Sequence, residues 1–129
     1  MVLLDAEGLS RLVRRDRGLF VLLKGLAQTG ETVAVSAATV VEGVNPALAP
    51  ATVRWSLSGL DVVDVTRKIA LTATDLLRAA GRHGHRDAMD AIVCATGLEA
   101  GEPTTILTSD PTDIGAIVAD RAAVTVLAL

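Results

Sequence analysis

Residues 104–118 read TTILTSDPTDIGAIV. Thr104 to Thr108 is short, apolar and rich in β-branched residues, so it reads as a strand. Ser109-Asp110-Pro111 then opens a helix over Pro111–Ala119, with Asp110 placed as N-cap and Pro111 at the first helical position. The chain therefore passes from strand to helix through one polar turn. That arrangement decides the fold if it recurs.

It does recur. Val2–Leu4 is a short apolar run ended by Asp5, and helical spacing follows over Glu7–Arg15. Gly18 predicts an interruption, with a second helix over Leu19–Ala27 closed by Gly30. Thr32–Ser36 reads as a strand and Ala37–Val44 as a short helix. Asn45 and Pro46 mark a break, and a helix is expected over Ala47–Leu57 with Pro50 in a first turn. Leu60–Val65 is the third strand, Arg67–Ala80 an amphipathic helix stopped by Gly81, and Arg86–Ala100 another helix. Ala122–Leu127 is the fifth strand. Short apolar strands without clean alternation, separated by helices, predict a parallel sheet covered on both faces.

The length of 129 residues suits one domain, and half of the residues are apolar, enough for a full core. Phe20 and Trp55 are the only aromatics, so packing rests on Leu, Val, Ile and Ala. The formal charge of -3 argues against a globally basic nucleic-acid binder. It leaves room for an acidic pocket that holds cations, with local Arg clusters meeting phosphates. Cys94 is alone, so no internal disulfide is expected. With no signal peptide or membrane span in view, a cytoplasmic setting is expected.

Carboxylates supply the candidate chemistry. Asp5 follows strand one and Asp110 follows strand four. As neighbours across the point where strand order reverses, the two face each other. Glu42 and Asp90 lie on helices able to turn one carboxylate each to the same mouth. Asp90 interrupts the apolar run around Ala91 to Ala95, and carboxylates are rarely buried without a partner. At about 5 Å and an effective dielectric near 20, each like-charge pair costs roughly 3 kcal/mol. Protons or a cation must relieve that repulsion, and oxygen-only ligands suit Mg²⁺ or Mn²⁺. Such an ion activates water and stabilises phosphoryl charge, chemistry that matches phosphodiester hydrolysis.

The segments LLDAEGL, VVEG, DAIVCATG and TILTSD, in this order, resemble the PIN domain, in particular the VapC-type toxin ribonucleases of bacterial toxin–antitoxin pairs. The likeness covers nearly the whole chain and is best over residues 66–118. It implies a three-layer PIN-like α/β domain over 1–129, with a short parallel five-stranded sheet flanked by helices. It implies a Mg²⁺- or Mn²⁺-dependent endoribonuclease whose catalytic and metal-binding acids are Asp5, Glu42, Asp90 and Asp110. Asp87 and Asp113 match positions that are often acidic, as possible auxiliaries. An RNA substrate, a homodimer and a small VapB-like antitoxin that blocks the pocket are implied as well. Two departures stand out: Glu7 replaces the small polar residue common two places after the first Asp, and Pro46 and Pro50 interrupt the middle of the alignment.

Plainer readings compete. Asp5 and Asp110 are also placed to cap helices, Glu42 to sit solvated, and Asp87 and Asp113 to favour helix N-termini. Arg11, Arg14, Arg15 and Arg17 form either a wet helix face or phosphate contacts. The same choice applies to Arg82, His83, His85 and Arg86. Cys94 reads as a core residue and Trp55 as packing or an interface anchor. Two other functions stay open: a catalytically inactive PIN-like binding module, and a phosphoacceptor receiver domain. The receiver reading is weakened because no Lys follows the fifth strand.

Overall fold

In a computed structural model describing residues 1–129, five parallel strands form one sheet in the order β3-β2-β1-β4-β5. The strands are β1 (Val2–Leu4), β2 (Val33–Ser36), β3 (Asp61–Val63), β4 (Thr104–Thr108) and β5 (Val124–Ala128). Seven helices accompany them: α1 (Ala6–Val13), α2 (Arg17–Gln28), α3 (Ala37–Gly43), α4 (Pro50–Leu57), α5 (Arg67–Ala80), α6 (Gly84–Glu99) and α7 (Pro111–Val118). The expected α/β class, with its five-stranded parallel sheet, is observed and matches a PIN-like fold.

Register explains the layering. Leu3 pairs with Ala34 on one side and Ile106 on the other. Successive strand residues face opposite sides of a sheet. Leu3, Ala34, Ile106 and Val124 thus join residues of α5, α6 and α7 in one core. Val2, Leu4, Val33 and Leu107 turn the other way, onto Leu19 and Leu23 of α2. Val35 packs on Leu9 and Val13 of α1. Burying each large aliphatic side chain contributes roughly 1.5–3 kcal/mol. These contacts clamp β1 between β2 and β4, so the ends of β1 and β4 are fixed relative to each other. The central strands are covered on both faces as expected, whereas the outer strands β3 and β5 keep exposed residues.

Several boundaries differ from the sequence reading. The break expected at Gly18 falls at Arg15, whose φ of +60° ends the α1 segment. Asp16 then caps α2 by accepting from the Leu19 N–H at 2.9 Å, and Gly18 lies within that helix. The third strand spans only Asp61–Val63, because Thr66 caps α5 by accepting from the Ile69 N–H. The helix expected from Ala47 begins at Pro50, the first-turn position that its fixed φ favours. The helix expected from Arg86 begins at Gly84 and bends at Asp87, where φ is −112° and ψ 15°. Gly81 ends α5 in the left-handed conformation expected of a C-terminal glycine. No helix is long and apolar enough to cross a membrane.

Candidate active site

The carboxyl ends of β1 and β4 open into a cavity of about 420 Å³. Asp5, Glu7, Glu42, Asp90 and Asp110 line it, with Ser10 and Ser109 among the other residues. No Lys, Arg or His lines it. The four acids singled out in the sequence are therefore brought to one cavity by four different elements.

Asp5 is buried and rigidly held. Its Oδ1 accepts from the Gly8 N–H at 2.6 Å, which caps α1. Its Oδ2 accepts from the Ser109 N–H at 2.9 Å, across the β4–α7 turn. The capping reading and the site reading hold together here, since each carboxylate oxygen keeps a free lone pair. Asp110 likewise caps α7 through Oδ1, which accepts from the Asp113 N–H at 3.1 Å, while its Oδ2 has no protein partner. Pro111 at the first helical position leaves no unpaired N–H there.

Asp90 differs from both. It is partly buried on α6 and makes no hydrogen bond or ion pair with the protein. Burial is the main reason its carboxyl is pushed up to about 6, and the charges of Glu42, Asp113, Asp87 and Asp110 add to it. Glu42 is exposed at the rim and is also unpaired.

The auxiliary acids are otherwise occupied. Arg82 donates to Asp113 at 2.6 Å and to Asp87 at 3.3 Å, tying the α5–α6 turn to the bend in α6 and to the start of α7. The Arg82 hydrogen bond holds the Asp113 carboxyl below the usual range. Glu7 lines the cavity, yet its Oε1 accepts from both Arg11 and Arg14 at 3.0 Å. The bond from Arg11 is the larger cause of its lowered pKa.

These pairings sort the candidate phosphate contacts. Arg11 and Arg14 are bracketed by Glu7, and Arg82 is taken by two aspartates. Arg15 lies 4.8 Å from the centre of the Trp55 ring, over its face. Arg86 is exposed and has no ion pair. His83 caps α6 through Nδ1, which accepts from the His85 N–H at 3.0 Å. Burial pushes the Cys94 thiol up to about 12, which makes it an inert core residue as expected.

All-oxygen donors around one acidic cavity fit a hard divalent cation in chemistry and location. They do not form a finished ligand cage: no group of three or more His, Cys, Asp or Glu side chains is positioned to hold an ion. The two acids at the rim, Glu42 and Asp110, are exposed, so they have room to turn inward.

A second concavity was not legible in the sequence. A groove of about 600 Å³ runs between α2 and α4, lined by Leu12, Phe20, Leu23, Trp55 and Leu60, with Lys24 at its edge. Phe20 and Trp55 are more than half exposed there.

No known protein family and no curated protein matches the chain. Its fold is similar to a chain of VapBC2 from Rickettsia felis, solved bound to a DNA fragment from their promoter. That likeness has a TM-score of 0.72 and 17% identity, and covers 100% of this chain and 99% of the other. It is also similar to a chain of FitAcB from Neisseria gonorrhoeae, with a TM-score of 0.68 and 21% identity over 98% and 96% of the two chains. At these identities the likeness establishes a shared fold.

Proposed function

We propose that the chain is a Mg²⁺- or Mn²⁺-dependent endoribonuclease of the VapC type, the toxin of a toxin–antitoxin pair. One observation carries this reading. Asp90 is partly buried without a partner, facing a cavity lined by other carboxylates and by no basic side chain. A cation is the simplest relief for that repulsion, and the resemblance in sequence and the fold shared with the VapBC2 and FitAcB chains support it.

Asp90, Glu42 and the free Oδ2 of Asp110 would hold the ion, with Asp5 fixed beside them by two backbone N–H groups. When bound, such an ion lowers the pKa of a coordinated water and stabilises charge on a phosphoryl oxygen. Glu42 or Asp110, both exposed at the mouth, would accept the proton of the attacking water. Arg86 meets a neighbouring phosphate of the RNA, since Arg11, Arg14, Arg15 and Arg82 are engaged within the protein and Arg17 lies at the separate apolar groove. RNA cleavage with Mg²⁺ or Mn²⁺ tests the assignment: Asp90→Asn is expected to lose at least about a hundredfold, the upper range for residues merely supporting metal ligands. Equal cleavage by both proteins removes the mechanism.

The unfinished ligand arrangement and the extra carboxylate of Glu7 favour one rival, a PIN-like module without catalysis. Calorimetric titration with Mn²⁺ separates the two, because the rival binds no ion.

The same reading supplies a partner. The apolar groove is edged by Arg15, Arg17 and Lys24, so an acidic, amphipathic segment of a VapB-like antitoxin complements it. Co-expression with such a protein should yield a complex that Trp55→Ala weakens at least about tenfold, as expected for a buried aromatic anchor. Recovery of the wild-type chain alone counts against it.

A further inference from the structure

We propose that Gly43 is a positioning residue, whose missing side chain lets α3 seat against the backbone of Ala6 and so sets how far Glu42 stands from Asp5. The inference rests on the nuclease reading of the cavity. A Cβ built on Gly43 would lie 2.7 Å from the Ala6 carbonyl oxygen, 3.2 Å from its Cα and 3.3 Å from its carbonyl carbon. Real Cβ contacts under 3.0 Å essentially do not occur, so something must shift.

The start of α1 cannot be what gives way. The Asp5 N–H donates to Leu107 O, and the two Asp5 oxygens accept from Gly8 and Ser109. This anchors the Ala6 backbone to β4 and to the β4–α7 turn. By contrast α3 spans only seven residues, and its N-cap bond, in which Ser36 Oγ accepts from the Ala38 N–H, is long, at 3.3 Å. The helix therefore moves. Glu42, adjacent to Gly43, makes no hydrogen bond or ion pair, so its carboxylate follows the helix. Thr39, one turn earlier on the same side, is 1% exposed, showing that this face of α3 is already pressed against its neighbours.

The test compares wild type, Gly43→Ala, Glu42→Gln, the double variant and Glu42→Asp. Gly43→Ala should bind Mn²⁺ about tenfold more weakly by calorimetry and lose kcat while RNA KM holds. It should add nothing when Glu42 is already Gln. Glu42→Asp, which withdraws the carboxylate by one methylene without touching the helix contact, should reproduce the loss even if Gly43→Ala folds poorly. A crystal structure of Gly43→Ala, free of metal and RNA, should show α3 and Glu42 displaced away from Asp5. That readout stands whether or not the chain cuts RNA, so its failure is distinct from failure of the nuclease assignment. Undisplaced Glu42, wild-type Mn²⁺ affinity in Gly43→Ala or Glu42→Asp, or an equal loss in both Glu42 backgrounds would overturn the proposal.

Discussion

Two sets of acids lie side by side in this molecule and behave in opposite ways. Asp87 and Asp113 share one guanidinium, that of Arg82, and Glu7 shares two, those of Arg11 and Arg14. Glu42, Asp90 and Asp110 have no cationic partner at all, although they line a cavity barely a turn of helix away. The paired set joins elements: Arg82 fastens the α5–α6 turn to α6 and α7. The unpaired set is placed where its charges repel, which raises Asp90, and of the three only Asp110 also serves the fold, as the N-cap of α7. Carboxylates kept apart from cations at the carboxyl ends of parallel strands mark a candidate ligand site, whereas those given an arginine tie the scaffold together.

The sharpest way to break that contrast is a matched pair of substitutions three residues apart. Asp110→Asn keeps a good N-cap, because Asn serves there as well as Asp. On the proposed reading it nevertheless removes an oxygen that would hold the ion, so RNA cleavage should fall by about a hundredfold or more with melting temperature nearly unchanged. Asp113→Asn removes a carboxylate tied to Arg82 and should retain most of the cleavage while weakening the α5–α7 tie. Parallel measurement of cleavage and thermal unfolding in both variants decides the matter. Equal loss of cleavage would mean that the paired and unpaired acids work as one set.

Much of this arrangement was readable in the chain. The strand-to-helix turn at Ser109-Asp110-Pro111 is local chemistry, and β4 and the start of α7 fall where that chemistry places them. Asp90 stood out because a charge in an apolar helical run is costly unless something compensates it. What was not readable depends on contacts between distant residues. Arg82 was a candidate for phosphate, yet its partners are Asp87 at five residues and Asp113 at 31 residues along the chain, the second of which only the packing of α7 on α5 reveals. Gly18 predicted a break that the Asp16 cap makes unnecessary, and Arg15 takes the left-handed turn instead. The bend at Asp87 has no sequence signal such as Pro, and it coincides with the Arg82 bond rather than with a local preference. The groove beside α2 needed the third dimension too, since apolar residues on an amphipathic helix look alike whether covered or open.

A smaller effect sharpens the contrast through stability alone. The Asp90 carboxyl rises from an ordinary 3.8 to about 6 in the folded protein, chiefly through burial and then through Glu42. The folded state therefore binds more protons than the unfolded state between those two values, and stability must fall as pH rises through that window. Above about pH 6 the penalty is complete, on the order of 2 kcal/mol after allowing for partial exposure. Asp90→Asn carries no charge in either state. It should thus be more stable than wild type by that amount at pH 8, with the gain shrinking as pH falls through 6 and vanishing near pH 4. Urea unfolding of both proteins with a metal chelator present gives the difference directly. On the proposed reading, saturating Mn²⁺ should then narrow the gap at pH 8, because the ion would bind and stabilise the protein that retains its Asp90 carboxylate more strongly. An Asp90→Asn advantage equal at pH 4 and pH 8 would show that the side chain is strained by packing rather than by charge, and Asp90 would join the scaffold acids.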